Sequence, residues 1–490
     1  MMGAATMTLG ELLGPTAGRH AAVAFSDLAL DSRQSAAGTA FVALRGSREH
    51  GLSHAADAMA RGAVVVLYEP EGSDAATVPQ PSVAVPRLRE RLGDLANAFY
   101  WRSSPQPRLF GVTGTNGKST VGYLVAQSMN RLGPSCGYVG TLGWGVPPRL
   151  RSHELTTPDC LTLHRELRDL KSECVAMEVS SHALAQDRVA GLVFQVAAFT
   201  NLSRDHLDAH GDLASYGRVK SRLFERPELT CAVLNLDDPF AATVRDALPP
   251  STLCLGVTLR ADPSAAVSGR IVRSSLAGLE LEIEAGGNES CRLVSPLVGD
   301  FNAENILVSL GALVAWDFRL QQACDALSAC SAPPGRMELL GAGPRQPAVV
   351  VDYAHTPGAL ARALESLRGL SNGELWCVFG CGGERDAGKR AEMGSVVSRL
   401  ADHIVVTDDN PRGEDPDAIV AAIRAGIGDC AALVVERDRA LAITRAVGRA
   451  ASRDIVLIAG KGHESWQQVG DERRPFSDRQ VAVEALGARA

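Results

Sequence analysis

Apolar, strand-like runs alternate with helix-period segments through most of this chain, and that alternation favours parallel sheets with crossover helices. At 490 residues the chain is too long for one core. Domains of roughly 100 to 200 residues would make two to four units, and the breaks in the pattern predict three. Between residues 20 and 100, "TAFVALRG", the helix-like "GLSHAADAMARG", "AVVVLYEP" and "PSVAVP" make a small α/β unit, closed by the Ser/Pro-rich linker "WRSSPQPR". The middle unit starts at "RLFGVTG" and ends at "SAPPGR"; "LAGLELEIEAGG" and "SCRLVSPLVG" in its second half add a smaller antiparallel sheet to the parallel one. Beyond it, "AVVVDYAHTP", "ELWCVFGCGG", "DHIVVTDDNP" and "DIVLIAGKGHE" read as a second doubly wound sheet with polar or glycine-rich loops after each strand. Those strand ends are where α/β sheets bind ligands. The expected domains are 1–105, 106–333 and 334–490.

The composition narrows the partners. Apolar residues make up 46% and charged residues 21%, as in ordinary globular chains. The net charge of -7 argues against nucleic acid and membrane surfaces, which need a basic excess, and leaves small anionic substrates held by a few placed cations. The amino-terminal stretch has no basic residue before Arg19 and is interrupted by Glu11, so it does not read as a signal peptide. No apolar run reaches membrane-spanning length. A cytoplasmic location is expected. The eleven cysteines are scattered without metal or redox spacing, and reduced, mostly buried thiols are the expected state.

"GVTGTNGKST", Gly111 to Thr120, joins the strand-like "RLFGVT" to a helical segment ended by Gly133. It departs from the usual phosphate-binding pattern, which would place a glycine at Val112. The position at a helix N-terminus still suits an anion. Gly114 and Gly117 would let the backbone approach phosphates, Lys118 would reach the terminal ones, and Ser119 could hold Mg2+. A second cluster follows on neighbouring strand ends: Glu178 after "CVAME", and His206, Asp208 and His210 after "FQVAAFTNLSR". Mg2+ prefers oxygen ligands and bridges carboxylates to phosphates, so Glu178 is the natural ligand and His206 a less usual one.

These residues resemble the Mur ligase family, the ATP-dependent amide-forming enzymes of peptidoglycan precursor synthesis. The resemblance is carried by "TGTNGKST", "EVSSHAL", "TNLSRDHLDAHG", "GDFNAENILVSLGAL", "PGRMELL", "DYAHTPGAL", "FGCGGERDAGKR", "DDNPR" and "GKGHE", in order over nearly the whole chain. The family loop reads Gly-Thr-x-Gly-Lys-Thr/Ser, which accounts for Val112. Among family members the sequence most resembles those that add meso-diaminopimelate to UDP-N-acetylmuramoyl-L-alanyl-D-glutamate through an acyl phosphate. The implied substrates are ATP, that UDP-sugar dipeptide and the amino acid, on a monomer.

The resemblance also implies the site. ATP would be held by Gly114, Thr115, Asn116, Gly117, Lys118, Ser119 and Thr120, with Asn302, Arg336, Asp352 and His355 from the domain junction. Mg2+ would be held by Ser119, Glu178, His206 and Lys220. An ammonium is the wrong sign beside a cation at its ordinary pKa of about 10.4, and the family's lysine is carbamylated, becoming a carboxylate-like ligand. Lys118, Glu178, His206 and Lys220 form the implied catalytic group. Uridine is expected near Leu30 and Ser32, and the muramoyl-dipeptide near Thr156, Thr157, Ser180, Gln186, Arg188 and Lys220. The second carboxylate of diaminopimelate, which lysine lacks, calls for an arginine fork. Arg412 of "DDNPR" and Arg385 of "GGERDAGKR" supply it, with Asp409, Asn410, Pro411, Gly460 and Glu464 completing that pocket. The alternatives are a lysine-adding or folylpolyglutamate synthetase-like ligase, against which "EVSSHAL" and "DNPR" count. A non-catalytic nucleotide-binding protein would be marked by loss of Lys118, Glu178 or Lys220, and all three are present.

Overall fold

The computed structural model describes residues 6–46, 49–73, 77–153, 155–205, 207–286, 289–341, 343, 345–370, 372–429 and 432–489. Three parallel sheets follow one another along the chain, each covered by its crossover helices. In the first, the strands Asp27–Ala29, Thr39–Ala43, Val65–Tyr68 and Ser82–Ala84 lie side by side in chain order, all parallel. All of Thr39–Ala43 and Val65–Tyr68 is buried, which is why these segments are apolar without alternation. The helix Leu88–Tyr100 presents Leu88, Leu92, Leu95, Ala96 and Phe99 at helical spacing to this core, and Cys160 and Leu161 of the helix Cys160–Leu170 join it from the next unit.

The middle sheet has eleven strands. From Cys136–Gly140 through Cys174–Glu178, Arg108–Thr113, Phe194–Phe199, Cys231–Asn235 and Leu253–Thr258 to Val267–Ser275 all neighbours are parallel. Gly278–Ala285 and Glu289–Ser295 then continue it antiparallel. The antiparallel strands expected as an accompanying sheet are thus the extension of the parallel one. The pairing of Val257 with Val267 and Thr258 with Ser268 makes the join. At the opposite edge Gly143–Val146 and Arg149–Arg151 add a hairpin that no sequence signal announced.

The third sheet runs Glu338–Gly341, Ala348–Asp352, Ile455–Ala459, Leu375–Phe379, His403–Val406, Leu433–Val435, parallel except for its first strand. Arg439 and Asp478 form a fully buried bidentate pair beneath it at 2.7 and 2.8 Å, and Arg439 Nη2 donates to the Ala459 carbonyl at the end of the central strand. Breaking such a pair leaves an uncompensated buried charge, at a cost of about 3–5 kcal/mol.

Among the described cysteines eight are free and seven of those are buried. The sulfurs of Cys291 and Cys324 lie side by side, with their Cα atoms 7.1 Å apart. The helix Leu320–Ser328 packs on the strand Glu289–Ser295 and brings the two sulfurs, 33 residues apart in sequence, together. Among the described residues no helix is long and apolar enough to cross a membrane.

Candidate active site at the strand ends

Register decides where the chemistry gathers. Glu178 pairs with Val112 and Phe199 with Thr113, so three neighbouring strands of the middle sheet end together. Their loops carry Gly114–Gly117, the Glu178 carboxylate and Thr200–Asp205 to one edge. In the first loop Gly114 and Gly117 have φ of 146° and 85°, a region that L side chains rarely adopt. A Cβ at Gly117 would also collide with Asn305. The helix Lys118–Leu132 follows, ended at Gly133 as its sequence predicts. The first intrahelical turn closes at Val121 N to Gly117 O, which leaves the preceding amides free to face an anion. The amides of Thr115 and Asn116 are instead spent on Asn201, and fix the shape of the loop.

A cleft of about 730 Å³ opens between this loop and the third sheet. Asn116, Gly117, Ser119, Thr120, Asn302, Arg336, Asp352 and His355 line it, eight of the eleven residues expected to hold ATP. Lys118 curls beneath the loop and donates to the Gly114 and Thr115 carbonyls at 3.0 and 2.9 Å. Arg336 crosses from the third unit, donating Nη2 to Ser119 Oγ at 3.0 Å and stacking 4.3 Å over Tyr353. Its Nε is buried without a partner among the described residues, a donor of the kind that phosphate oxygens accept. Asp352 accepts from the Met337 and Ala354 amides, and Asn302 bridges Val298 O and Asn305. His355 faces the Tyr353 carbonyl at 2.8 Å, and burial holds its pKa below the ordinary value.

Glu178 is 1% exposed. Its Oε1 accepts from Tyr138 Oη at 2.5 Å and Thr141 N at 2.8 Å, and Oε2 accepts from Thr141 Oγ1 at 3.1 Å. A carboxylate offers about four lone-pair sites, so Oε2 keeps one for a hard cation. Lys220 is 1% exposed and donates to the same Gly114 carbonyl as Lys118, at 2.7 Å. Burial, then repulsion by Lys118, pushes its pKa well below the ordinary lysine value. His206, expected among the metal ligands, lies outside the described residues.

The residues expected to meet the muramoyl-dipeptide form one hydrogen-bonded patch beside Glu178. Thr157 Oγ1 donates to Glu178 O at 2.7 Å, and Thr156 Oγ1 sits 3.1 Å from Thr141 Oγ1. Ser180 caps the short helix Ser181–Ala185. Arg188 donates to Thr157 O and holds the Gln186 amide oxygen with two donors. Leu30 and buried Ser32 lie past the end of Asp27–Ala29, two residues before Gln34, which accepts from Thr162 and Arg165 of the middle unit.

The third unit builds the other pocket from three adjacent strand ends. Gly383 N donates to Asn410 O, and Arg412 Nη1 returns to Gly383 O at 2.7 Å, with Pro411 buried between. A Cβ at Gly382 would meet Arg412 Nη1 at 3.0 Å and the aliphatic Cγ of Arg385 at 3.8 Å, so both side chains pass beside this glycine. Gly460, at φ 114°, backs onto Asp409, where a Cβ would meet Oδ2 at 2.7 Å. Glu464 Oε2 accepts from Asn410 Nδ2 at 2.9 Å and from Lys461 Nζ at 2.8 Å.

Five residues here went unassigned in the sequence. Lys461, His463 and Tyr353 lie inside stretches already quoted, "GKGHE" and "DYAHTP", where side-chain direction was the missing information. Tyr138 and Thr141 belong to no motif, and only the sheet shows that they face Glu178. The arrangement can hold polyphosphate beside a carboxylate and a metal-competent edge, and present a doubly charged amino acid from the opposite side.

Three family descriptions match in order: "Mur ligase family, catalytic domain" at residues 25–100, "Mur ligase middle domain" at 112–313 and "Mur ligase, glutamate ligase domain" at 335–462. The UDP-N-acetylmuramoyl-L-alanyl-D-glutamate--2,6-diaminopimelate ligase of Xanthomonas oryzae pv. oryzae is 48% identical over 484 residues, covering 98% of this chain and 97% of its own. A solved structure of a ligase of the same description superposes with a TM-score of 0.70 at 34% identity, over 99% of both chains. The MurF ligase of Thermotoga maritima in complex with ADP shares the fold, with a TM-score of 0.65 at 18% identity over 95% of this chain and 98% of its own.

Proposed function

The chain belongs to the Mur ligase family, and from that premise we propose that it joins meso-2,6-diaminopimelate to UDP-N-acetylmuramoyl-L-alanyl-D-glutamate at the expense of ATP. The D-glutamate γ-carboxylate attacks the ATP γ-phosphorus and ADP leaves. The amino group of diaminopimelate then attacks the acyl carbon of the resulting acyl phosphate, inorganic phosphate departs, and the amine proton is released. Both steps crowd anions together, so placed positive charge and amide donors lower the barriers.

The loop amides before Val121 and the Arg336 Nε supply donors for the phosphates, and Lys118 exchanges its loop carbonyls for a phosphate oxygen. Thr156, Thr157, Ser180, Gln186 and Arg188 set the dipeptide beside Glu178, with the uridine on the first unit near Leu30 and Ser32. The donor set fits Mg2+: Ser119 Oγ and the open site on Glu178 Oε2 are hard oxygens, and His206 and a carbamylated Lys220 complete it. When bound, the ion neutralises phosphate charge. Only the unprotonated amine attacks the carbon of CO2, giving the carbamate and releasing a proton, and the depressed pKa of Lys220 supports that modification. The domain limits proposed are 1–105 for the UDP-sugar, 106–333 for ATP and 334–490 for the amino acid, on a cytoplasmic monomer.

The observation that carries the choice of amino acid is that Arg412 Nη1 and the stem of Arg385 both lie against Gly382, on strand-end loops that also carry the Asn410–Glu464–Lys461 network. Two arginines on neighbouring loops suit the second carboxylate, and the half-buried Glu464 suits the ammonium beside it. Phosphate release is measured with ATP, Mg2+ and the UDP-dipeptide, adding meso-diaminopimelate, L-lysine or nothing. Release with tripeptide formation only for diaminopimelate is expected. A preference for lysine overturns the pocket assignment, and no turnover with either amine overturns the ligase.

A further inference from the structure

Thr141 contributes two of the three donors that orient Glu178, its amide and its hydroxyl. What holds Thr141 therefore sets the direction of that carboxylate. Its own carbonyl accepts from His463 Nε2 at 3.0 Å, and the preceding carbonyl, Gly140 O, faces His153 Nε2 at 2.7 Å. His153 comes from the middle unit. His463 comes from the third, 322 residues along the chain.

His463 is built for this contact. Gly335 packs against the backbone of Gly462 and His463 so closely that any Cβ would collide, and Tyr353 lies 5.5 Å from the imidazole between ring centroids. The Nδ1 atom is buried with no partner among the described residues. A neutral imidazole carries one N–H, and the nitrogen facing a carbonyl must hold it, so Nε2 is the donor. Burial, then the Arg336 guanidinium, lowers the pKa to about 4, which keeps the ring neutral. Lys461, two residues before, and Glu464, the next residue, belong to the Asn410 network of the amino-acid pocket.

The geometry points to His463 as a positioning residue: its Nε2–H, donated across the domain boundary to Thr141 O, ties the amino-acid loop of the third unit to the orientation of Glu178. Assembly of the acceptor pocket and alignment of the cation-binding carboxylate are then one event. The inference rests on the ligase reading above and adds a coupling to it.

The test compares wild type with His463→Ala and His463→Gln, whose side-chain amide can place a donor where Nε2 lies. Two readouts are taken: the affinity for Mn2+ in the presence of ADP, by titration without turnover, and kcat and KM for diaminopimelate. His463→Ala is expected to weaken Mn2+ by about tenfold, as loss of a ligand's outer hydrogen-bond partner does, and to lower kcat more than it raises KM. His463→Gln is expected to recover most of both. Wild-type Mn2+ affinity in His463→Ala, or no recovery in His463→Gln, overturns the coupling. Thr141→Val adds a check that needs no loop change. Combined with His463→Ala it should lose less than the product of the single losses, because both act on one carboxylate. Multiplicative losses also overturn the inference. Failure of the wild type to turn over diaminopimelate would instead strike the ligase reading, and the Mn2+ comparison would still stand.

Discussion

Arg412 shows how a single side chain divides structural from specific duty. It has φ of 53°, and its Nη1 donates to Gly383 O while its amide donates to Gln468 O. The backbone bond survives truncation, but the fork does not. Arg412→Ala should raise the KM for diaminopimelate by roughly ten- to a hundredfold, the range expected for a charge-assisted hydrogen bond. The KM for ATP should stay near wild type, since Arg412 does not line the ATP cleft. Equal losses in both constants would remove the specificity argument. Lys220 supports a second prediction. Its pKa is held down by burial and by Lys118, so the reactive amine persists to lower pH than on an exposed lysine. Protein equilibrated with 13C-bicarbonate should show a carbamate carbon resonance that Lys220→Ala lacks. A wild-type spectrum without it would argue against the modification.

Between elements, the join of the first and middle units is a polar weld around the helices Leu88–Tyr100 and Cys160–Leu170. Tyr100 Oη donates to Asp27 at 2.7 Å, Arg165 pairs with Asp27 at 3.0 Å, and Asn97 and Gln106 both donate to Gly191 O. At its centre His164, fully buried, accepts from Trp101 Nε1 and faces Ala190 O. Burial lowers its pKa from 6.5 to about 4. On acidification the unfolded chain takes up this proton first, so stability is intact above pH 6.5 and falls as pH drops toward 4. The loss from this group is about 3 kcal/mol in all. His164→Gln keeps a donor and an acceptor but does not titrate. Its denaturation midpoint should therefore fall less steeply than wild type between pH 6.5 and 4, and parallel slopes would refute the assignment.

For the whole molecule, the active site is an interface. Arg336 reaches Ser119, His463 reaches Thr141, Arg362 pairs with Glu304 at 3.3 Å, and Ser366 Oγ accepts from Asp300 N. Val298, Leu276 and Phe301 also pack on the third unit's core, and the polar contacts beside them are of the kind that rearranges when ligands bind. ATP and both other substrates together should compact the particle, read as a smaller radius of gyration by solution scattering than ATP alone produces. An unchanged radius would count against closure. The His463 contact gives that closure a residue-level reading, because it links the acceptor loop to Glu178 across the gap.

The sequence by itself determined the three α/β units, the strand–loop–helix at Gly114–Lys118, the capped and glycine-ended helices, and the family, because those features are local or follow from the order of short motifs. "DYAHTP" shows how local the signal was: Thr356 caps a helix begun by Pro357, as the residues alone require. Tertiary structure alone decided the rest. The antiparallel strands joined the parallel sheet because Val267–Ser275 pairs on one edge with Leu253–Thr258 and on the other with Gly278–Ala285, a choice of neighbour that no local pattern states. Cys291 met Cys324 because a helix packs on a strand. Tyr138, Thr141 and His463 converge on Glu178 because adjacent strand ends and a second domain bring them there. Motif spacing records distance along the chain, and orientation across it is fixed only by packing.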